Sequence, residues 1–345
     1  MKNIGILTAG GDCPGLNAAI RSVVLSAKSM DAEVVGFLDG FSGVKNNRTI
    51  NLATSDVEWI IDRGGSILGC SGSNPFKSQE DSNKCMQTIK KHNLYGLIVI
   101  GGNSSMGTAY LGQQKGLKII GIPKTIDNDV YGTDVTIGFD TAVQIATEAI
   151  DRLKTTAQSH DRVMVIETMG RDVGWLSVAA GIAGGADLII TPEKLMDPRN
   201  VVKAVTKIHE NSGRNYIIIV VGEGAKFLND SKQTEISRPD GATRLGGIGT
   251  RVAELIADQT GFETRVSVIG HLQRGGPPSP RDRLLASRFG VYATKRLIRG
   301  ESGFMVADNG GNLINQPLEK VANKVKKVDP QLLKIAESLE TLDVY

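Results

Sequence analysis

Apolar residues recur along the chain in runs too short for helices and too continuous for strands with one wet face. The runs are "IGIL" (4–7), "EVVGFL" (33–38), "LIVI" (97–100), "KIIGI" (118–122), "RVMVIE" (162–167), "LIIT" (188–191), "YIIIVV" (216–221) and "VSVIG" (266–270). Strands apolar on both faces belong in parallel sheets covered by helices on either side. Between them lie stretches of helical length, such as "NAAIRSVVLSAKSM" (17–30) and "GTRVAELIADQTG" (249–261). This βαβ rhythm predicts an α/β protein with mainly parallel sheets. "NGGNLINQP" (309–317) reads as a hairpin-like turn, and "NDSKQTEISRPDGATRLGG" (229–247) is the longest polar loop.

Ligands of such sheets bind beyond the carboxyl ends of the strands, so the segments after the apolar runs carry the chemistry. They are rich in glycine, acid and arginine: "TAGGDCPGLN", "GGNSSMG", "PKTIDNDVYGTD", "TMGRDVGW", "GEGAK" and "HLQRGGPPSPRDR". "GGDCPGLN" is either a phosphate cradle at a helix N-terminus or a tight βα turn. It is not G-x-G-x-x-G and no Walker lysine follows, which argues against dinucleotide and P-loop readings. In "PKTIDND", Asp127 and Asp129 would share a face of extended backbone, about 7 Å apart at Cα. One acid of such a pair can accept a proton from an attacking hydroxyl while the other holds Mg²⁺. Thr125 and Lys124 would add a donor and a positive charge; an Asp-rich capped turn is the alternative. Arg162, Arg171, Arg265 and Arg274, at or beside strand ends with His271 between the last two, suit an anionic substrate such as a sugar phosphate. Glu223 in "VGEG" suits either of two roles, binding sugar hydroxyls or standing as an acid at a helix N-terminus.

Composition adds bounds. A chain of 345 residues suits two domains or one large α/β domain. A net charge of +3 gives no warrant for nucleic-acid or membrane binding, and no run of about 18 apolar residues occurs. Cys13, Cys70 and Cys85 share no C-x-x-C spacing and read as reduced thiols of a cytoplasmic protein. Trp59 and Trp175 read as packing residues.

Together these segments resemble the phosphofructokinase family. The matching stretches are "GGDCPGLNAAIR" (10–21), "PKTIDND" (123–129), "GFDTAVQIATEAIDR" (138–152), "SHDRV" (159–163), "ETMGRDVGW" (167–175), "AAGIAGGAD" (179–187) and "GHLQRGGPPSPRDR" (270–283). They fall in order over residues 1 to about 305 and are most similar to members with Lys in "PKTIDND". The resemblance implies an α/β fold of two Rossmann-like three-layer lobes with the active site in the cleft between them. Residues 1–139 plus about 273–323 would form the donor lobe, about 140–272 the fructose 6-phosphate lobe, and 324–345 a C-terminal extension. It further implies phosphoryl transfer from ATP with Mg²⁺ to the 1-hydroxyl of fructose 6-phosphate, by a cytoplasmic homo-oligomer, usually a tetramer. By position, Asp127 is the general base, supported by Thr125, Asp129 and Arg171. Met169, Gly170, Glu223, His271 and Arg274 would hold the sugar phosphate, with Arg162 and Arg265 reaching it from a neighbouring subunit.

The donor side departs from the family pattern. Gly11, Gly72, Gly102, Asn103, Ser104, Ser105 and Lys124 occupy donor-binding positions. The usual loop, however, has Asp where Asn103 stands, and Arg is usual at Gly72. Asn103 would hold Mg²⁺ weakly, leaving the ion to Asp127 and Asp129. Lys124 and Lys77 are candidates to replace the missing arginine, and Phe41 stands where Tyr often lies near the nucleotide. Ser104 lacks the carboxylate of pyrophosphate users, which favours ATP; pyrophosphate remains the alternative, and a sugar-phosphate-binding subunit with a degenerate donor site is a third reading. Of the effector-binding basic residues Arg21 and Lys154 are kept, while Leu25 and Thr54 replace others, so altered allosteric control is expected.

Overall fold

The computed structural model describes residues 2–211, 213–228, 236–237, 243–244 and 246–339, so most of the polar loop 229–247 lies outside the described residues. In chain order the strands are β1 (Lys2–Thr8), β2 (Ala32–Phe37), β3 (Thr49–Leu52), β4 (Leu94–Gly101), β5 (Ile119–Pro123), β6 (Val163–Thr168), β7 (Leu188–Ile190), β8 (Ile217–Gly222), β9 (Ile236–Ser237), β10 (Thr243–Arg244), β11 (Thr264–Val268), β12 (Phe304–Asn309) and β13 (Asn312–Pro317). The chain forms two compact units, Met1–Thr141 with Arg274–Lys326, and Ala142–Gln273 with Lys327–Tyr345.

The first unit is built on a seven-stranded sheet in the order β13-β12-β5-β4-β1-β2-β3. Its five inner strands run parallel, while β3 and β13 close the two edges antiparallel. β4 explains the choice: Leu97, Ile98, Val99 and Ile100 are all buried, so the strand must be covered on both faces. On one face Leu7, Phe37, Val99 and Ile119 pack with Met106 of helix Asn103–Gln114 and Cys85 of helix Gln79–Lys91. Helices Leu16–Lys28 and Pro280–Ile298 pack on each other, and the latter also lies on β4, β5 and β12. The expected hairpin joins β12 to β13 through Gly310 and Gly311, both at positive φ, as a two-residue turn demands. The chain passes from β1 to β2 on one side and from β4 to β5 on the other, so the strand order reverses between β1 and β4. That is where a doubly wound sheet opens a binding crevice.

The second unit holds the parallel sheet β11-β6-β8-β7. Val163, Val165, Ile217 and Ile219 pack beneath helices Pro198–Asn211 and Ile248–Thr260. Met164, Ile166, Ile218 and Val220 face the opposite layer, including Ala146 and Ile150 of helix Phe139–His160. β6 and β8 are therefore held by packing on both faces. Helix Pro330–Leu339 contacts helix Trp175–Gly184, where Trp175 joins the cluster around Val328. Trp59, expected to pack, is instead 83% exposed, because Val57 and Ile60 take the buried positions of its segment. Among the described residues, no helix is long and apolar enough to cross a membrane.

Candidate active site

β1 and β4 flank the reversal of strand order and β5 lies next to β4, so the loops after all three emerge at one edge of the first unit's sheet. After β4, helix Asn103–Gln114 begins at Gly102 with no side-chain cap, and its first backbone bond runs from Met106 N–H to the Gly102 carbonyl at 2.9 Å. The N–H groups of Asn103, Ser104 and Ser105 precede that bond, and together with the helix dipole they favour an anion. Ser104 is exposed, whereas the buried Ser105 hydroxyl lies 3.5 Å from where a Cβ on Gly10 would stand. Gly10 is at φ +82, the left-handed turn that ends β1.

Lys124 is 3% exposed, and its ammonium donates to the carbonyls of Ala9 (3.0 Å) and Gly11. Its charge is thus fixed beneath the loop after β1 and does not take the place of an arginine at Gly72, around which the space is open. Arg274 belongs to this unit. Its Nε and Nη2 donate to the Asp12 carbonyl, and Nη2 meets the Asp12 carboxylate at 2.9 Å. The guanidinium passes so near Gly11 that a Cβ there would stand 1.9 Å from Nη2, so a side chain at this position would displace the Arg274 guanidinium. Phe41 is a core residue, wholly buried and edge-to-face with Phe76.

The loop after β5 carries the carboxylates. Thr125, Asp127 and Asp129 are half-buried and alternate with the buried Lys124, Ile126, Asn128 and Val130. The backbone is not extended as the spacing suggested: Asn128 is at φ +51. Its side chain holds that turn by accepting from Thr136 N–H (3.1 Å) and donating to the Asp134 carbonyl (3.3 Å). The Thr125 hydroxyl accepts from Asp127 N–H at 3.2 Å. Asn103 Nδ2 donates to Asp129 Oδ2 at 2.7 Å and to the Asp129 carbonyl at 3.1 Å, which leaves the Asn103 Oδ1 atom buried without a hydrogen-bond partner. Lys326, given no role by sequence reasoning, lies against the same loop. Its N–H donates to the Asp129 carbonyl at 2.7 Å, and its ammonium donates to the carbonyls of Thr133 and Asp134. Burial pushes the Lys326 amine down to about 8, with Asp134 and Asp129 opposing the shift.

No group of three or more His, Cys, Asp or Glu side chains forms a metal cage among the described residues. Mg²⁺ needs none: it takes one or two carboxylates and fills its octahedron with phosphate oxygens and water. The half-buried pair Asp127 and Asp129, with the orphaned Asn103 carbonyl oxygen beside them, fits that demand.

In the second unit the loops after β6 and β8 meet. Gly170 is at φ +141 and Arg171 at φ +53, which turns the chain so that Arg171 N–H donates to Glu223 Oε1 at 3.0 Å. Glu223 N–H in turn donates to the Thr168 carbonyl at 2.9 Å, and burial raises the Glu223 carboxyl above its ordinary range against the pull of the backbone N–H groups. Met169 N–H donates to Gln273 Oε1 at 2.9 Å; Gln273 is fully buried and no sequence signal marked it. His271 is exposed on the single turn Gly270–Arg274. The structure thus brings Met169, Gly170, Arg171 and Glu223 together. Arg162 and Arg265 stand apart at the amino end of β6: both donate to Glu263 Oε1, at 2.7 and 2.6 Å, and Arg265 pairs in register with Met164.

A family model described as Phosphofructokinase matches residues 3–297. The chain belongs to that family. Among phosphofructokinase relatives, the ATP-dependent 6-phosphofructokinase of Spirochaeta thermophila is 47% identical over 342 residues, covering 95% of this chain and 93% of its own. The pyrophosphate–fructose 6-phosphate 1-phosphotransferase of Dictyoglomus thermophilum is 44% identical over 330 residues, with 95% of each chain covered. Among solved structures, phosphofructokinase from Saccharomyces cerevisiae matches with a TM-score of 0.83 at 28% identity, over 98% of this chain and 47% of that one.

Proposed function

We propose that the chain is an ATP-dependent 6-phosphofructokinase that transfers a phosphoryl group to the 1-hydroxyl of fructose 6-phosphate, giving fructose 1,6-bisphosphate in glycolysis. The observation that carries this reading is the pair of half-buried carboxylates, Asp127 and Asp129, beside an uncapped helix N-terminus at the sheet's point of reversal. Asp127 takes the proton of the 1-hydroxyl as that oxygen bonds to the transferred phosphorus and the donor's bridging P–O bond breaks. The N–H groups of Asn103, Ser104 and Ser105, the open strip at Gly72, and Gly11 and Gly102 receive the donor phosphates, over the charge of Lys124. Bound Mg²⁺ would neutralise phosphate charge, held by Asp127, Asp129 and the Asn103 carbonyl oxygen. Glu223, with Met169, Gly170, Arg171 and His271, binds the sugar phosphate, and Arg274 contributes from the Asp12 loop.

ATP as donor is supported by the exposed Ser104, which has no carboxylate to repel nucleotide, and by the ATP-dependent Spirochaeta relative. A pyrophosphate donor is the second reading, supported by the pyrophosphate-dependent Dictyoglomus relative; Lys124 suits either donor. Arg162 lies one strand length, about 20 Å, before Arg171. It cannot share a small ligand with Arg171 of its own chain, which supports a homo-oligomer, read as a tetramer, in which Arg162 and Arg265 serve a neighbour. Three unpaired cysteines suit a cytoplasmic setting.

The test offers the protein fructose 6-phosphate and Mg²⁺ with ATP or pyrophosphate, and repeats each assay with Asp127→Asn. ATP turnover that falls at least about 1,000-fold in the variant is expected. Turnover with pyrophosphate alone would move the donor to the second reading. Fructose 6-phosphate binding without turnover would leave only a binding subunit.

A further inference from the structure

Asp129 is held from two directions, and one of them lies almost two hundred residues further along the chain. From the donor loop, the Asn103 amide bonds both the carboxylate and the carbonyl of Asp129. From the C-terminal side comes the segment after helix Leu318–Val321. Val325 forms an antiparallel bridge with Val130, and Lys326 N–H donates to the Asp129 carbonyl at 2.7 Å. The Lys326 ammonium then closes over the far end of the same turn, donating to the carbonyls of Thr133 at 2.9 Å and Asp134 at 2.8 Å. One residue therefore ties both ends of 129–134, by main chain at one end and by charge at the other.

We propose that Lys326 is a positioning residue for phosphoryl transfer, bracing the turn that follows Asp127 so that Asp129 meets the donor at a fixed place. The proposal rests on the reading of Asp127 and Asp129 as the reacting carboxylates. Two physical points favour a role beyond holding a surface turn. Asp134 is exposed and its carbonyl is served as well by water, so drawing a half-buried ammonium onto it as well as onto the carbonyl of the buried Thr133 carries a desolvation cost that packing alone does not require. The cation also lies against the loop, where its charge acts on Asp134 and Asp129 and balances negative charge that would otherwise push the carboxylates apart. Its neighbour Lys324 lies over the Tyr131 ring at 4.9 Å without any such bonds and provides a control.

The experiment compares Lys326→Met, Lys326→Arg, Lys324→Met and Asp127→Asn in the full chain. It measures kcat and KM per folded molecule, with Mg²⁺ titrated at saturating substrates and thermal unfolding recorded in parallel. Lys326→Met should lower kcat about 10- to 100-fold and raise the Mg²⁺ needed several-fold, with the fructose 6-phosphate KM within about twofold. Lys326→Arg should recover part of kcat, and Lys324→Met should match wild type. If Lys326→Met only lowers the melting temperature, with kcat per folded molecule and Mg²⁺ dependence unchanged while Asp127→Asn is dead, the proposal is overturned and the catalytic reading stands. If Asp127→Asn stays active, the catalytic reading falls and the proposal with it.

Discussion

Asn103→Asp puts the donor-side geometry under direct strain. The Asn103 amide now gives hydrogen bonds to Asp129 Oδ2 at 2.7 Å and to its carbonyl at 3.1 Å. A carboxylate in its place has no proton to give and brings a second negative charge to the same 2.7 Å. The Coulomb energy at that separation is about 1.5 kcal/mol in bulk water and about 6 kcal/mol at an effective dielectric near 20, and a half-buried pair falls between. The lost amide bond to a charged acceptor adds about 1.5–3 kcal/mol. In metal-free buffer the variant should therefore be destabilised by several kcal/mol. A divalent cation offsets part of this loss, because the two carboxylates now form a chelating pair. At a hundredfold excess over its dissociation constant, Mg²⁺ restores about 2.7 kcal/mol. In a unit of roughly 150–250 residues that is about 5–10 °C of melting temperature. Thermal unfolding in EDTA and across a Mg²⁺ titration, with wild type alongside, reads both effects. Equal melting temperatures in EDTA, or equal Mg²⁺ responses, would refute the contact between residue 103 and Asp129 on which the reasoning depends.

Two further expectations concern the first unit. Asp282 is fully buried and accepts from Gly138 N–H (2.9 Å), Thr141 N–H (2.9 Å) and the Thr141 hydroxyl (2.6 Å). Asp282→Asn turns an NH₂ toward donors and should lower stability by about 2–5 kcal/mol, read as a lower urea midpoint at unchanged slope; an unmoved midpoint would sink this account. Burial raises all three thiols, Cys85 to about 12 and Cys13 further, so at pH 8 iodoacetamide should label native protein slowly at Cys70 alone and all three sites after unfolding. Rapid modification of native Cys13, followed by mass spectrometry, would contradict its burial.

The sheet strands were legible because their apolar runs have no other stable use, as "LIVI" at the centre of the first sheet illustrates. β3 and β12 lie outside the pattern: "TINL" has a single buried residue, and the short apolar run of "FMVADN" passes directly into the polar glycine turn of the hairpin. The strand-end loops were legible as chemistry, since glycine, acid and arginine concentrate there. Their geometry was not. The left-handed Asn128 depends on partners at Thr136 and Asp134, and the direction of Arg274 depends on Asp12, a residue 262 positions away. Lys326 lies in a lysine-rich stretch, "NKVKKVD", that reads as solvated charge, and its bonds go to backbone atoms that no residue type announces. Gln273 is similar: a polar side chain earns notice only once Met169 N–H is found pointing at it.

The position of β12 beside β5 sets a schedule for biosynthesis. β5 ends at Pro123 and its neighbour begins at Phe304, so roughly 180 residues are translated before that side of the sheet is covered. At 5–20 residues per second the all-buried "IIGIP" edge waits roughly 10 to 40 s on the ribosome with its hydrogen-bonding groups open. Another nascent chain can pair there in the meantime. Slow codons between the two strands should therefore lower soluble yield, and a chaperone that shields extended apolar edges should restore it.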